Sequence, residues 1–155
     1  MRGLILITSY WLHIGAAAIW IGGIGFILFV AIPSARQIMG AEAGKLMGEL
    51  SKRFTPLANY SIIFLAATGI VLTGFNKQFS GIGVSVNSWT FVLILKHILF
   101  IVMIVIHFYR GLVLTKKIGR ASSDEKAALQ KLSINLVKVN FSLGMLVLLL
   151  NGYLR

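Results

Sequence analysis

Three histidines are the residues best suited to chemistry, and each lies in a long apolar stretch: His13, His97 and His107. A neutral imidazole binds transition metals and haem iron through a ring nitrogen. Residues 89–114 combine two of these histidines with Lys96 and Arg110. Ionisable side chains within a membrane-spanning segment are costly and usually serve a function. We therefore expect the chemistry of this protein to centre on residues 89–114.

The chain contains no cysteine, which narrows the cofactors that it can bind. Disulfides, covalently attached c-type haem, cysteine-ligated iron–sulfur clusters and thiolate zinc sites are excluded. Any metal or cofactor must be held by histidine, methionine or oxygen ligands. The four acidic residues all lie in the basic segments between apolar stretches, which argues against a proton pump or cation antiporter with paired intramembrane carboxylates.

Composition indicates an integral membrane protein. Of the 155 residues, 57% are hydrophobic and 12% are charged, whereas about 25% of residues are charged in soluble domains. The length predicts a single domain, residues 1–155. The net charge of +11 does not indicate nucleic-acid binding, because most Lys and Arg residues lie in two short segments between apolar runs, as in cytoplasmic loops.

Hydropathy predicts an all-α, four-helix transmembrane bundle. The expected spans are residues 3–32, 56–75, 89–114 and 139–154. Pro33 is expected to end the first helix, and the Thr55–Pro56 pair to begin the second. Ser122 and Glu125 have the spacing of a capping box, so the fourth helix is expected to begin there, outside the membrane.

Basic residues concentrate in residues 34–53 and 115–138, which predicts that both loops are cytoplasmic and that both termini face outward. The protein is thus expected to be a multi-pass protein of the cytoplasmic (inner) membrane. Apolar residues recur at roughly helical spacing within 34–53, which suggests an interfacial helix between the first two spans. Residues 76–88 are expected to form the loop before the third span, with Trp89 at the interface.

Helical geometry places two histidines at similar depth. His13 lies about 15 Å along the first span and His97 about 12 Å along the third, measured from the outer side. His107 lies about 15 Å further inward and is rotated by about 80° from His97, so one planar cofactor cannot use both. We predict a haem b between the first and third spans, with His13 and His97 as axial ligands.

Other residues are assigned around this centre, each with an alternative. Trp20 shares the face of His13 and is expected to contact the cofactor. Lys96 or Arg110 could pair with a haem propionate or another anion, although Arg110 is placed where long basic side chains reach interfacial water. His107 could bind a second haem, donate a proton or hold a quinone. The alternative for each histidine is a neutral, hydrogen-bonded role inside the bundle.

Met103 and His107 are four residues apart and could form a soft copper site, although methionine at helical spacing usually serves packing. A face of small residues in the first span suits close packing with another helix, within the bundle or across a homodimer. That face comprises Gly15, Ala18, Gly22 and Gly25. Hydroxyl and amide side chains of the second span, Thr68 among them, are expected to hydrogen-bond to neighbouring helices or to their own backbone.

Short motifs along nearly the whole chain resemble the copper-resistance D (CopD) family. They comprise Trp11-Leu12-His13, Trp20-Ile21-Gly22-Gly23, Pro33, Thr68-Gly69, Leu95-Lys96, His107 with Arg110, and residues 140–144. The resemblance implies a membrane module that binds haem b or handles copper. CopD proteins are usually larger, and this region forms only part of their chain. Copper transport is therefore expected of those longer proteins and does not transfer directly to these 155 residues.

His13 and Lys96 also resemble the essential histidine and lysine of HemJ-type protoporphyrinogen oxidases, which are small four-helix membrane proteins. That resemblance implies oxidation of a porphyrinogen with electrons passed to a quinone. Our leading hypothesis is a cytochrome b-like electron-transfer protein with one haem b, or two if His107 binds another. Copper transport or resistance is the alternative, followed by the oxidase and by a structural subunit of a larger membrane complex. The expected partners are the lipid bilayer, a quinone or redox partner protein, and a second copy of the chain.

Overall fold

A computed structural model describes residues 1–76 and 88–154, and no β-strand occurs among them. The chain divides into two compact units, Met1–Val86 and Asn87–Arg155. The first contains α1 (Arg2–Phe26), α2 (Ile32–Met39) and α3 (Ala43–Gly74). The second contains α4 (Ser88–Phe108), α5 (Thr115–Arg120) and α6 (Ser123–Tyr153). The predicted loop at residues 76–88 falls almost entirely outside the described residues.

The first unit is a helical hairpin in which α1 and α2 pack against α3. A short π-helical segment, Ile27–Ala31, connects α1 to α2 without a break. The chain then reverses through a 3₁₀ turn, Gly40–Glu42, where Gly40 has φ +53°. A positive φ is accessible to glycine because it has no Cβ. Ala35 and Ala43 flank the turn and are buried, which lets the two helices approach closely.

Three expectations about this hairpin are wrong. Pro33 does not end the helix, because it lies at the start of α2 after a π-helical segment that uses i→i+5 hydrogen bonds; such segments accommodate local irregularity. Pro56 does not begin a helix but lies inside α3. Just before it, Thr55 Oγ1 donates to the Ser51 carbonyl at 2.7 Å, a hydroxyl bond to the backbone one turn earlier.

The predicted interfacial helix within residues 34–53 is also not a separate element. These residues are helical, but they form the end of α2, the turn and the beginning of α3. Two salt bridges decorate this region, Lys45 to Glu42 at 2.5 Å and Lys52 to Glu49 at 2.6 Å. Both join residues three positions apart, which neighbour each other on a helical surface.

Close packing between α1 and α3 depends on Gly23. The Phe54 ring occupies the space in which a Cβ on residue 23 would lie, so only glycine fits there without movement of the ring. By contrast, the adjacent Gly22 has open space at its Cβ position. At the other end of the hairpin the Arg2 guanidinium lies 5.0 Å from the centre of the Phe75 ring, a cation–π contact.

The second unit pairs α4 with α6 in antiparallel directions. Lys96 Nζ donates to Asn151 Oδ1 at 3.1 Å, and Trp89 Nε1 lies 3.4 Å from the Leu154 carbonyl oxygen, which set the register. A second π-helical segment, Tyr109–Leu114, leads from α4 into α5. The predicted capping box is confirmed, because Ser122 N donates to Glu125 Oε2 at 3.3 Å and α6 follows directly.

The outward surfaces of both units are strongly apolar. Large hydrophobic side chains are exposed along α1, α3, α4 and α6, which in water would be a costly surface and in lipid is the favourable one. Three continuous helical stretches are long and apolar enough to span a bilayer, Arg2–Gly74, Ser88–Arg120 and Glu125–Tyr153. The all-helical, membrane-spanning class is therefore confirmed, whereas the four-helix count, the single domain and the outward termini stay predictions.

Candidate functional site

His13 is oriented by a hydrogen bond from α1 to α3. Its Nδ1 lies 2.8 Å from Thr68 Oγ1, and the Thr68 hydroxyl lies 2.5 Å from the Phe64 carbonyl oxygen. A carbonyl only accepts, so the single hydroxyl proton goes to Phe64 and the oxygen accepts from His13 Nδ1. The neutral imidazole then carries its lone pair on Nε2, the tautomer of a metal-ligating histidine whose other nitrogen is held by an acceptor.

The surroundings of His13 are small and apolar on one side. A Cβ on Gly69 would lie 3.7 Å from His13 Cε1, so glycine leaves space beside the ring edge that carries both nitrogens. His13 itself is half-buried, whereas Thr68 is buried. Trp20 lies two turns further along α1 and is 1% exposed, which makes it one of the most buried side chains of the unit. It belongs to the packed interior between α1 and α3.

His97 shows the same tautomer through a different partner. Its Nδ1 lies 2.7 Å from the Leu93 carbonyl oxygen one turn earlier in α4. The carbonyl can only accept, so Nδ1 carries a proton, and the neutral form of the ring has its lone pair on Nε2. His97 is half-buried. Two of the three histidines thus have Nδ1 held by an oxygen acceptor, which fixes the orientation of each ring.

Lys96 has an amide partner rather than an acid. Its ammonium is half-buried and donates to Asn151 Oδ1. Neither Lys96 nor Arg110 forms an ion pair with any glutamate that the structure describes. A protonated lysine with a neutral partner in an apolar helix pair favours a nearby anion.

The second half of α4 buries Met103 and His107 on one face, at 1% and 7% exposure. The His107 ring meets the Phe108 ring edge-on, with centroids 5.3 Å apart. Arg110 follows within the π-helical segment Tyr109–Leu114. Its carbonyl accepts hydrogen bonds from both the amide and the hydroxyl of Thr115, the latter at 3.0 Å. Single π-turns of this kind are frequent at functional positions.

Asn140 is a buried polar residue that the sequence placed in a CopD-like motif without a role of its own. It is 4% exposed in α6, and its Oδ1 has no hydrogen-bond partner among the described residues. The register set by the Lys96–Asn151 and Trp89–Leu154 contacts places Asn140 at the level of residues 103–107 of α4. The sequence shows Asn140 as a polar residue within an apolar span. Only the fold shows that its side chain is buried.

The predicted site residues fall in both units. His13 and Trp20 belong to the first unit, and the others belong to the second: Lys96, His97, His107 and Arg110. Within the described residues, no group of three or more His, Asp or Glu side chains is arranged to hold a metal ion. The sequence predicted that Thr68 hydrogen-bonds to a neighbouring helix or to its own backbone, and it does both. It did not identify His13 as the partner of Thr68 or Asn151 as the partner of Lys96, because each contact joins residues 55 positions apart.

Fold and composition define a multi-pass, all-helical membrane protein, and the sequence identifies its family. The family model for copper resistance protein D (CopD) matches residues 48–154, well over half of the chain. This protein therefore belongs to the CopD family. The matched part includes Thr68, Lys96, His97, His107 and Arg110, whereas His13 and Trp20 precede it. Neither the curated proteins nor the solved structures contain a match to the chain.

Proposed function

We propose that this CopD-family protein binds haem b and transfers electrons within the membrane. The observation that carries the proposal is the hydrogen bond that holds His13 Nδ1 against Thr68 and leaves the lone pair on Nε2. The matching tautomer of His97 supports it as the second axial ligand. A haem iron needs only one or two imidazoles from the protein, which this donor set provides.

The remaining site residues take supporting roles. Lys96, with its neutral Asn151 partner, would hold a propionate, and Arg110 would offer a second cation. Trp20 would contact the cofactor from α1, the helix that carries His13. His107 would be the ligand of a second haem or would hold a quinone on the inner side. One-electron transfer is the chemistry that bound haem would supply.

Copper handling is the second candidate, and the family favours it directly. Met103 and His107 lie four residues apart on the buried face of α4, which offers a thioether and an imidazole to a soft metal ion. In this alternative His13 would be a further copper ligand, and the protein would transport copper or confer resistance to it.

Two further candidate functions are each supported by one feature of the chain. Oxidation of a porphyrinogen, with a quinone as acceptor, would use His13 and Lys96. A structural role in a larger membrane complex or a homodimer would use the small-residue face of α1, where Gly15 and Gly22 have open space at their Cβ positions.

We further propose that the protein lies in the cytoplasmic (inner) membrane with loops 34–53 and 115–138 on the cytoplasmic side, as their basic residues favour. The natural absence of cysteine makes this testable by single substitutions. A Ser122→Cys chain should react with an impermeant maleimide only after the cytoplasmic side is opened. Labelling of intact cells at this position would reverse the orientation.

The visible spectrum of the purified protein tests the function. Protein from haem-sufficient cells should show a Soret band and, after dithionite reduction, sharp α and β bands. These bands should weaken in His13→Ala and His97→Ala. A colourless protein that binds copper stoichiometrically would replace the haem proposal with the copper one. Retained bands in both variants would show that the ligand pair is wrong although haem is bound.

A further inference from the structure

An open groove lies where α5 turns into α6, at the end of the apolar helices of the second unit. It has a volume of about 440 Å³, within the roughly 300–1,000 Å³ typical of small-ligand sites. Its lining combines basic side chains from α5, an acidic and two apolar side chains from α6, and an alanine between the two helices. The lining residues include Lys117, Arg120, Ala121, Ala128 and Leu129.

The cations of this groove differ from those of the other basic segment. Lys45 and Lys52, near the turn of the first unit, each form a salt bridge with a glutamate three residues earlier. Lys117 and Arg120 form no ion pair with any described residue. The two cations at the groove are therefore not paired with a carboxylate in the part of the chain that the structure describes.

Glu125 is the acid that lines the groove, and it is already engaged. Its Oε2 accepts hydrogen bonds from Ser122 N at 3.3 Å and from Ser122 Oγ at 3.1 Å. This capping contact ties the carboxylate to the start of α6. An anion that enters the groove meets Lys117 and Arg120 beside a carboxylate whose charge is directed toward the helix cap.

The groove also has a surface for an acyl chain. Ala121 and Leu129 are half-buried, and Ala128 presents an exposed methyl group along α6. An occupant should therefore be anionic at one end and apolar at the other. In a protein embedded in a bilayer, the abundant molecule with this chemistry is an anionic phospholipid, and basic pockets at helix ends bind such headgroups.

We propose that the groove between α5 and α6 binds the headgroup of an anionic phospholipid, with Lys117 and Arg120 contacting its phosphate and Leu129 contacting its acyl chain. The site is separate from the histidines and does not depend on which cofactor they hold. Binding at this turn fixes the ends of α5 and α6 to the lipid surface.

The test is native mass spectrometry of the full-length chain after removal of lipid and addition of phosphatidylglycerol or phosphatidylcholine with identical acyl chains. The intact chain should retain phosphatidylglycerol preferentially. Lys117→Gln with Arg120→Gln should weaken that retention by about tenfold or more, since each basic side chain near an anionic surface contributes to binding. Lys45→Gln with Lys52→Gln removes the same charge from ion-paired lysines and should change retention less than twofold.

A third variant separates a defined groove from diffuse attraction. Ala128→Trp fills the groove while both cations stay in place, and it should lower phosphatidylglycerol retention several-fold. Equal losses in the two charge variants would overturn the proposal, as would equal retention of the two lipids by the intact chain. Unchanged retention in Ala128→Trp would place the lipid elsewhere.

Discussion

His13 and Thr68 are 55 residues apart in sequence, yet a 2.8 Å hydrogen bond joins His13 Nδ1 to the Thr68 hydroxyl across α1 and α3. The hydroxyl proton is used by the Phe64 carbonyl. One threonine thus determines both the position of the imidazole and the nitrogen that carries its proton. A substitution at Thr68 tests how far the His13 ring depends on this hydroxyl.

Thr68→Val should weaken metal or haem binding at His13 by about tenfold to a hundredfold, because loss of the hydroxyl that holds His13 Nδ1 frees the ring to rotate and to change tautomer. The measurement is a titration of the apoprotein with haem, or with copper if the protein proves colourless. Ser61→Ala is the matched control, since Ser61 is also buried in α3 and donates to the Leu57 carbonyl at 2.9 Å. Equal affinity of the Thr68→Val and wild-type proteins would remove Thr68 from the site.

Gly23→Ala should destabilise the protein because a Cβ would overlap the Phe54 ring. We expect a loss of about 1–3 kcal/mol in the free energy of unfolding, typical of overpacking, measured by titration with sodium dodecyl sulfate in mixed micelles. Gly22→Ala provides the comparison, because it makes the same chemical change where space is open. Phe54→Leu combined with Gly23→Ala should recover stability, and failure to do so would locate the strain elsewhere.

Asn151→Leu should leave the half-buried Lys96 ammonium without its acceptor. Hydrogen bonds between membrane helices contribute about 0.6–1.7 kcal/mol, and we expect a loss of stability in that range in the same mixed-micelle assay. Lys96→Met should make Asn151→Leu nearly neutral, since the interaction is then already absent. Additive losses in the double variant would mean that the two side chains act independently.

Asn140→Leu should stabilise the protein, whereas Asn151→Leu should destabilise it. Its Oδ1 is buried and has no partner among the described residues, and an unsatisfied buried acceptor costs about 1–3 kcal/mol. Replacing it with leucine is expected to raise stability by about 1 kcal/mol, whereas the same substitution at Asn151 on the same helix lowers it. Destabilisation by Asn140→Leu would instead reveal that the amide binds a group from outside the chain.

Local sequence signals predicted local features well. The Ser122 and Glu125 pair marked the beginning of α6 because a capping box involves residues only three positions apart. The apolar runs likewise predicted the membrane class. Pro33 and Pro56 were misleading, because a proline that ends a helix and one accommodated within it have the same local sequence.

The candidate site was predicted in its residue types but not in its partners. His13, His97 and Lys96 were identifiable as ionisable groups in apolar surroundings. The tautomer of His13 depends on Thr68, and the environment of Lys96 depends on Asn151, both through pairings between distant helices. A threonine or asparagine in an apolar span has many potential partners, so sequence alone does not select one. Whether His13 and His97 share a cofactor stays a prediction.

The Gly40 turn has a consequence for the order in which this protein is made. The turn connects α2 to α3 through only three residues, Gly40–Glu42. The helices that pack against each other in the first unit, α1 and α2 against α3, are therefore close neighbours in the sequence. Synthesis proceeds at roughly 5–20 residues per second, so that hairpin leaves the ribosome several seconds before α6 does. His13 can therefore meet Thr68 while the residues of the second unit, His97 among them, are still being synthesised.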